Sequence, residues 1–243
     1  MPPDRSQQLL TATLKLLVSQ GCPYATDRIL RRRTNRCAPT TTDWKHLSAT
    51  DATELRTTFQ VLAISGSLRA ASSNTGLLRM AQRVAPEGMR ISDPYPIVEL
   101  PYYNQDLDTP EALPASVVAW RTACVTADGL LIAAPEYNWS ASAVLKNAID
   151  WATRPMGTHC LMGRVTTVMS SAGKGGGSKV QEYLVNLLPL LGVPIVNDPV
   201  IAIPMGMTLI SADGTTTDPA VEALVASRLS AMQSAIEASC ITP

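Results

Sequence analysis

Phe59-Gln60-Val61-Leu62-Ala63-Ile64 runs into Ser65-Gly66-Ser67-Leu68-Arg69-Ala70-Ala71-Ser72-Ser73-Asn74, and Thr75-Gly76-Leu77-Leu78-Arg79-Met80-Ala81 follows. The first six residues are an apolar run of strand length, broken at a glycine between serines. Beyond Asn74, an N-cap candidate, Leu77, Leu78 and Ala81 recur at helical spacing. The order is strand, polar loop, helix. Such a loop gathers hydroxyls, backbone N–H groups, one arginine and a helix N-terminus, a combination that favours an anion and most simply a phosphate. An ordinary turn whose serines only cap the helix is the competing reading of these residues alone.

The same alternation continues along the chain. Met89–Ile91 and Ile97–Leu100 read as a second strand interrupted by Asp93-Pro94 and Pro96. A helix is expected from Thr109-Pro110-Glu111 to about Ala127, and Gly129–Ala134 has the continuous apolar character of a buried parallel strand. A third helix is expected over about 141–153, a fourth strand over 165–170, and a fourth helix over 176–191. The fifth strand spans 193–203 with a break at Asp198-Pro199, and an Ala- and Leu-rich helix over 219–239 closes the chain. Five strand–helix pairs imply an α/β fold, a parallel sheet with helices on both faces, since right-handed crossovers pack back onto the sheet. Ligands of such sheets lie at the carboxyl ends of the strands. The polar loops 65–74, 135–140 and 170–177 therefore converge on one crevice.

Composition narrows the partners. The 243 residues hold 20 Lys+Arg and 20 Asp+Glu, so no overall field draws nucleic acid or anionic lipid, and no apolar stretch reaches membrane-spanning length. Cys22, Cys37, Cys124, Cys160 and Cys240 lack C-x-x-C spacing, which fits neither a disulfide framework nor a zinc site. A reducing, cytoplasmic setting is the simplest reading. His46 and His159 are too far apart in sequence to suggest a metal cluster or an assisted nucleophile. Residues 1–58 differ in texture, with clustered arginines and threonines and thin hydrophobic periodicity. They read as an extension, either loosely attached or targeting an organelle, ahead of one domain over 59–243.

Two nucleotide templates and a hydrolase elbow fail. The first loop has Leu68 and Ala71 where G-x-G-x-x-G needs glycine. In Gly173-Lys174-Gly175-Gly176-Gly177-Ser178-Lys179, Ser178 stands where a P-loop needs glycine before its lysine, and no G-x-S-x-G elbow occurs.

Four ordered motifs point elsewhere: Gly66-Ser67-Leu68-Arg69 with Ser72 and Asn74; Tyr103-Asn104-Gln105-Asp106; Pro135-Glu136-Tyr137-Asn138 with Leu145-Lys146-Asn147-Ala148-Ile149-Asp150-Trp151; and Ser171-Ala172-Gly173 with Gly176-Gly177. In these, residues 59 to about 205 resemble the NADPH-dependent FMN reductase family, which includes quinone and chromate reductases. The resemblance implies a flavodoxin-like five-stranded parallel sheet. It also implies that Ser67, Arg69, Ser72 and Asn74 hold the FMN phosphate. Pro135, Glu136, Tyr137 and Asn138 would follow the ribityl chain and ring edge, largely through backbone, with Ser171 and Gly173 approaching the ring from the other side. Bound FMN, NADPH or NADH as donor, a quinone, free flavin or similar small acceptor, ping-pong kinetics and a homodimer or homotetramer follow as expectations.

No residue is assigned a catalytic role, because the flavin carries the chemistry. A flavodoxin-like electron carrier is the alternative, against which the zero net charge counts. Loss of flavin binding is a third. It is kept open by Ser142-Ala143, where the family usually has Pro-Gly. Lys174 is unusual in its loop, and attracting the donor's phosphates or facing water are equal readings.

Overall fold

The computed structural model describes residues 58–241. The expected extension therefore lies outside the described residues except for Thr58. The elements in order are β1 (Phe59–Ser65), α1 (Ser73–Arg83), β2 (Met89–Ile91), α2 (Ala115–Thr126), β3 (Gly129–Ala133), β4 (Glu136–Tyr137), β5 (Ser140–Ala141), α3 (Ala143–Ala152), β6 (Val165–Ser171), α4 (Ser178–Leu190), β7 (Ile195–Val196), β8 (Ala202–Ile203), α5 (Gly206–Leu209) and α6 (Pro219–Ile241).

The main sheet has the order β2-β1-β3-β6-β7, every pair parallel, and β8 extends the last position by pairing with the end of β6. The fifth strand is thus one path in two pieces, interrupted where the sequence places Asp198-Pro199. The order reverses direction between β1 and β3, the switch point beside which doubly wound sheets open a crevice.

Period-two alternation sorts the strand residues between two cores. Leu62, Ile64, Leu130, Ile132 and Val168 face α2, α3 and α4, among Trp120, Leu145, Trp151, Val180 and Leu184. Val61, Ala63, Leu131, Ala133 and Met169 face α1 and α6, among Leu77, Leu78, Val225, Leu229 and Met232. A fully buried leucine contributes about 1.5–3 kcal/mol, and rows of them on both faces hold the sheet between its helices. The two buried tryptophans also satisfy their ring N–H groups, Trp120 on the Ala148 carbonyl at 2.9 Å and Trp151 on the Pro101 carbonyl at 2.7 Å.

Two expected boundaries move, both through proline. Helix α2 starts at Ala115 with Pro114 as its N-cap, not at Thr109. Proline disfavours helical backbone at the residue before it, so no helix runs through Leu113-Pro114. The second strand ends at Ile91, and Ile97–Glu99 is a 3-10 turn. Pro94 and Pro96 remove ladder donors there, although Ser92 N–H and Tyr95 N–H still reach the Val61 and Ala63 carbonyls.

Arg228, on α6, is fully buried. Its guanidinium donates to Thr167 Oγ1, the Val168 and Val196 carbonyls, Asn197 Oδ1 and the Pro199 carbonyl. This joins the last helix to β6 and to both sides of the break in the fifth strand. Burial lowers its pKa to about 10, so it stays charged at neutral pH.

Candidate functional site

At the carboxyl end of β1 the chain turns through Gly66 beneath the third loop. A Cβ at Gly66 would stand 2.8 Å from Pro135 Cδ and 3.2 Å from both Ser142 Oγ and Leu145 Cδ2, so only glycine lets the two loops meet. Ser142 caps α3, accepting from Leu145 N–H, and donates to the Gly66 carbonyl at 2.7 Å. Ser142 therefore closes the seam between the first and third loops.

The serines of the first loop divide their work. Ser65 and Thr75 share a hydrogen bond of 2.9 Å that steadies the loop base. The N-cap of α1 is Ser72, whose hydroxyl accepts from Thr75 N–H, and not Asn74. Asn74 lies in the first turn of α1 and clasps the backbone of Ser171: its Oδ1 accepts from Ser171 N–H at 3.0 Å, and its Nδ2 donates to the Ser171 carbonyl at 2.7 Å. Ser171 in turn donates its hydroxyl to Ser73 Oγ at 2.7 Å. The end of β6 is fastened to the start of α1 across 97 residues of sequence.

Between these walls opens a cavity of about 160 Å3. It is lined by Ser67, Arg69, Ser72 and Asn74 from the first loop, Pro135, Glu136 and Tyr137 from the third, and Ser171 and Gly173 from the fourth. These are the sequence-predicted residues except Asn138, which sits at the tip of the β4–β5 hairpin. Ser73, Ala172 and Met207 also line it.

Met207 belongs to a wall that sequence reasoning missed, the segment after β8. Met205 N–H and Gly206 N–H donate to the Gly173 and Ala172 carbonyls. A Cβ at Gly206 would lie 1.8 Å from Ser171 Oγ, so the close approach requires glycine. In sequence, Pro204-Met205-Gly206-Met207 is the apolar tail of a strand, and its one signal is the lone glycine.

Arg69 is the cation in this lining. Its guanidinium donates to the Ala71 carbonyl at 2.6 Å and lies 3.1 Å from Met207 Sδ, and no carboxylate pairs with it among the described residues. Glu136, the acid of the lining, is engaged elsewhere: one oxygen accepts from Lys179 N–H at 2.9 Å and Val180 N–H at 3.1 Å, capping α4. Positive charge and the open first turn of α1 are left facing hydroxyls. At Gly173 nothing stands within 4 Å of where a Cβ would be, so that edge of the cavity is clear. Lys174, the next residue, is exposed.

The remaining residues of the third motif are structural. Ile149 and Trp151 are core, and Lys146 pairs with Asp150 along α3 at 2.6 Å. Asn147 accepts from Tyr103 N–H at 2.8 Å and donates to the Pro101 carbonyl at 2.9 Å, holding the loop after β2 against α3. Arg154 stacks 5.4 Å from the Tyr103 ring centroid.

This arrangement has known counterparts. Residues 59–208 match the family model described as NADPH-dependent FMN reductase. A probable NADPH:quinone oxidoreductase 2 of Oryza sativa subsp. japonica is 35% identical over 67% of this chain and 81% of its own. An NAD(P)H-dependent FMN reductase of Pseudomonas aeruginosa is 37% identical over 72% of this chain and 93% of its own. Among solved structures, the flavoenzyme NAD(P)H:(acceptor) oxidoreductase FerB of Paracoccus denitrificans superposes with a TM-score of 0.67 at 31% identity, covering 74% of this chain and 98% of that one. The matched span carries every strand of the sheet and the loops that wall the cavity, and on that ground the chain belongs to the NADPH-dependent FMN reductase family.

Proposed function

We propose that this protein is an FMN-dependent oxidoreductase that takes hydride from NAD(P)H and reduces a quinone or free flavin by a ping-pong sequence. The observation that carries this reading is Arg69, a cation without a carboxylate partner among the described residues, set with the Ser67 and Ser72 hydroxyls at the head of α1. These groups suit the FMN phosphate: the fork of an arginine and the unpaired N–H groups of a helix start both match a phosphate dianion. The clear edge at Gly173 suits a flat ring.

What FMN supplies when bound is two-electron chemistry, from a nicotinamide to an acceptor. The chain's own residues bind and orient. Arg69, Ser67 and Ser72 hold the phosphate end. The backbone of 135–137 and of Gly173 would border the ring end. Asn74, Ser171, Glu136 and Ser142 act one step back, locking the loops that present those groups. The homodimer or homotetramer expected from the family resemblance is part of the proposal. Among the described residues no helix is long and apolar enough to cross a membrane.

The test is the visible spectrum of the protein after FMN is added and the excess removed, followed anaerobically by NADPH and then NADH. A bound flavin that bleaches is the expected result, and the nucleotide that bleaches it faster is the donor. A bound flavin that neither nucleotide bleaches would make the protein a carrier, and a colourless protein would sink the proposal.

A further inference from the structure

The hairpin that borders the cavity carries a residue its backbone does not favour. Asn138 and Trp139 form the two-residue turn between β4 and β5, with φ of 49° and 61°. A turn with both central residues left-handed is ordinarily Asn-Gly or Asp-Gly, because glycine alone adopts the second position freely. Asn138 suits its place. Trp139 is a bulky side chain in a region that bulky residues avoid. The fold offers no compensation for it, since Trp139 is 75% exposed and its indole makes no hydrogen bond or ring contact among the described residues.

The position is nonetheless firmly held. Glu136 fixes the base of the hairpin to α4, and Tyr137, two residues before Trp139, lines the cavity. Leu68 and Met207, exposed by 59% and 66%, stand on the other loops of the cavity wall. Tyr137 and Met207 thus line a largely polar cavity, and Leu68 and Trp139 are exposed on two of the loops that wall it. Such a setting suits a flat, weakly polar molecule that comes and goes.

We infer that Trp139 is a specificity residue for the acceptor, presenting its indole to the ring of a quinone while the quinone is reduced. The inference rests on the oxidoreductase reading above. The quinone gains two electrons and two protons and leaves as the hydroquinone, the electron pair and one proton originating in the hydride of NAD(P)H and the second proton coming from solvent. Trp139 forms and breaks no bond. A strained backbone is retained at a site where its side chain meets a ligand, as is common for such outliers.

The test uses the FMN-loaded full chain with saturating NADPH and two probe acceptors, menadione, which is flat and aromatic, and ferricyanide, which is not. Trp139→Gly and Trp139→Asn keep the left-handed backbone and remove the ring, whereas Trp139→Phe keeps an aromatic face. The expected result is an apparent KM for menadione raised about fivefold in the Gly and Asn variants, the size of one aromatic stacking contact, with ferricyanide reduction little changed and Phe restoring the wild-type value. Trp139→Gly should also melt about 2–4 °C higher, because the strain is gone. An unchanged KM for menadione in the Gly variant would overturn the inference. So would equal losses with both acceptors accompanied by a smaller mass in light scattering, which would make Trp139 a subunit contact. Failure of NADPH to bleach the wild-type flavin is a different result, and it would remove the oxidoreductase reading itself.

Discussion

Arg69 lines the cavity without a carboxylate partner among the described residues. Its neutral partners, a backbone carbonyl and a thioether, position the guanidinium without neutralising it. Replacing Arg69 by Ala should weaken FMN binding by about 1.5–3 kcal/mol, the range for a hydrogen bond to a charged group. A fluorescence titration of FMN measures this, and unchanged affinity would remove Arg69 from the site. His159 presents the reverse case, a titratable group held neutral. Its Nε2 lies 2.9 Å from the Leu191 carbonyl, which requires the proton there, and its buried Nδ1 has no partner. Burial lowers its pKa below the usual 6.5 and outweighs the opposing effect of the Leu191 bond, and nearby Arg154 adds to the lowering. The unfolded chain therefore takes up the proton first. Stability from this histidine is complete above about pH 6.5 and declines as pH falls through that value towards the folded pKa. His159→Gln, which does not titrate, should lose less Tm than the wild type between about pH 7.5 and pH 5.5. Equal losses would show that other groups set the acid limit.

At the scale of elements, Glu136 joins two structures that lie far apart in sequence. Helix α4 begins after Gly177, a left-handed residue with no side chain to cap it, and Glu136 supplies the missing acceptor from 43 residues upstream. Glu136→Ala should reduce stability by about 0.5–2 kcal/mol, the effect of losing an N-cap, and Glu136→Gln by less because one acceptor oxygen remains. Urea unfolding of the three proteins tests the order. A Gln variant as unstable as Ala would show that the negative charge at the helix start, and not the hydrogen bond, is what matters. This contact also marks where sequence reading stops. The five-strand path was legible because apolar runs and helical spacing are local, and the cavity loops because polar residues follow strand ends. Asn74 and Glu136 were legible as residues of the crevice but not in their work, since each holds a partner that only folding brings near. The wall at Met205–Met207 carries only the lone Gly206 as a local sign, and nothing in the sequence sets it against Ser171. Arg228 was silent for the same reason, being an arginine on a helix whose burial comes from the strand break it spans.

The whole molecule builds one cavity from four loops spread from Ser67 to Met207, so the cavity exists only in the folded chain. A ligand of that cavity binds the native state and not the unfolded one, and it must raise stability by mass action. At a free FMN concentration about 100 times its Kd the gain is about 2.7 kcal/mol, which for a chain of this size raises Tm by roughly 5–10 °C. Riboflavin has the same ring and side chain without the phosphate, so it separates the two ends of the site. If Ser67, Arg69 and Ser72 hold the phosphate, riboflavin at the same concentration should raise Tm much less than FMN, and Arg69→Ala should bring the two ligands close together. Equal shifts for FMN and riboflavin in the wild-type protein would leave the ring as the source of affinity and would free the head of α1 from the role assigned to it. A larger shift for FMN that survives in the Arg69 variant would move the phosphate contact to the serines and the helix start, because these are the other groups at that end of the cavity able to meet it.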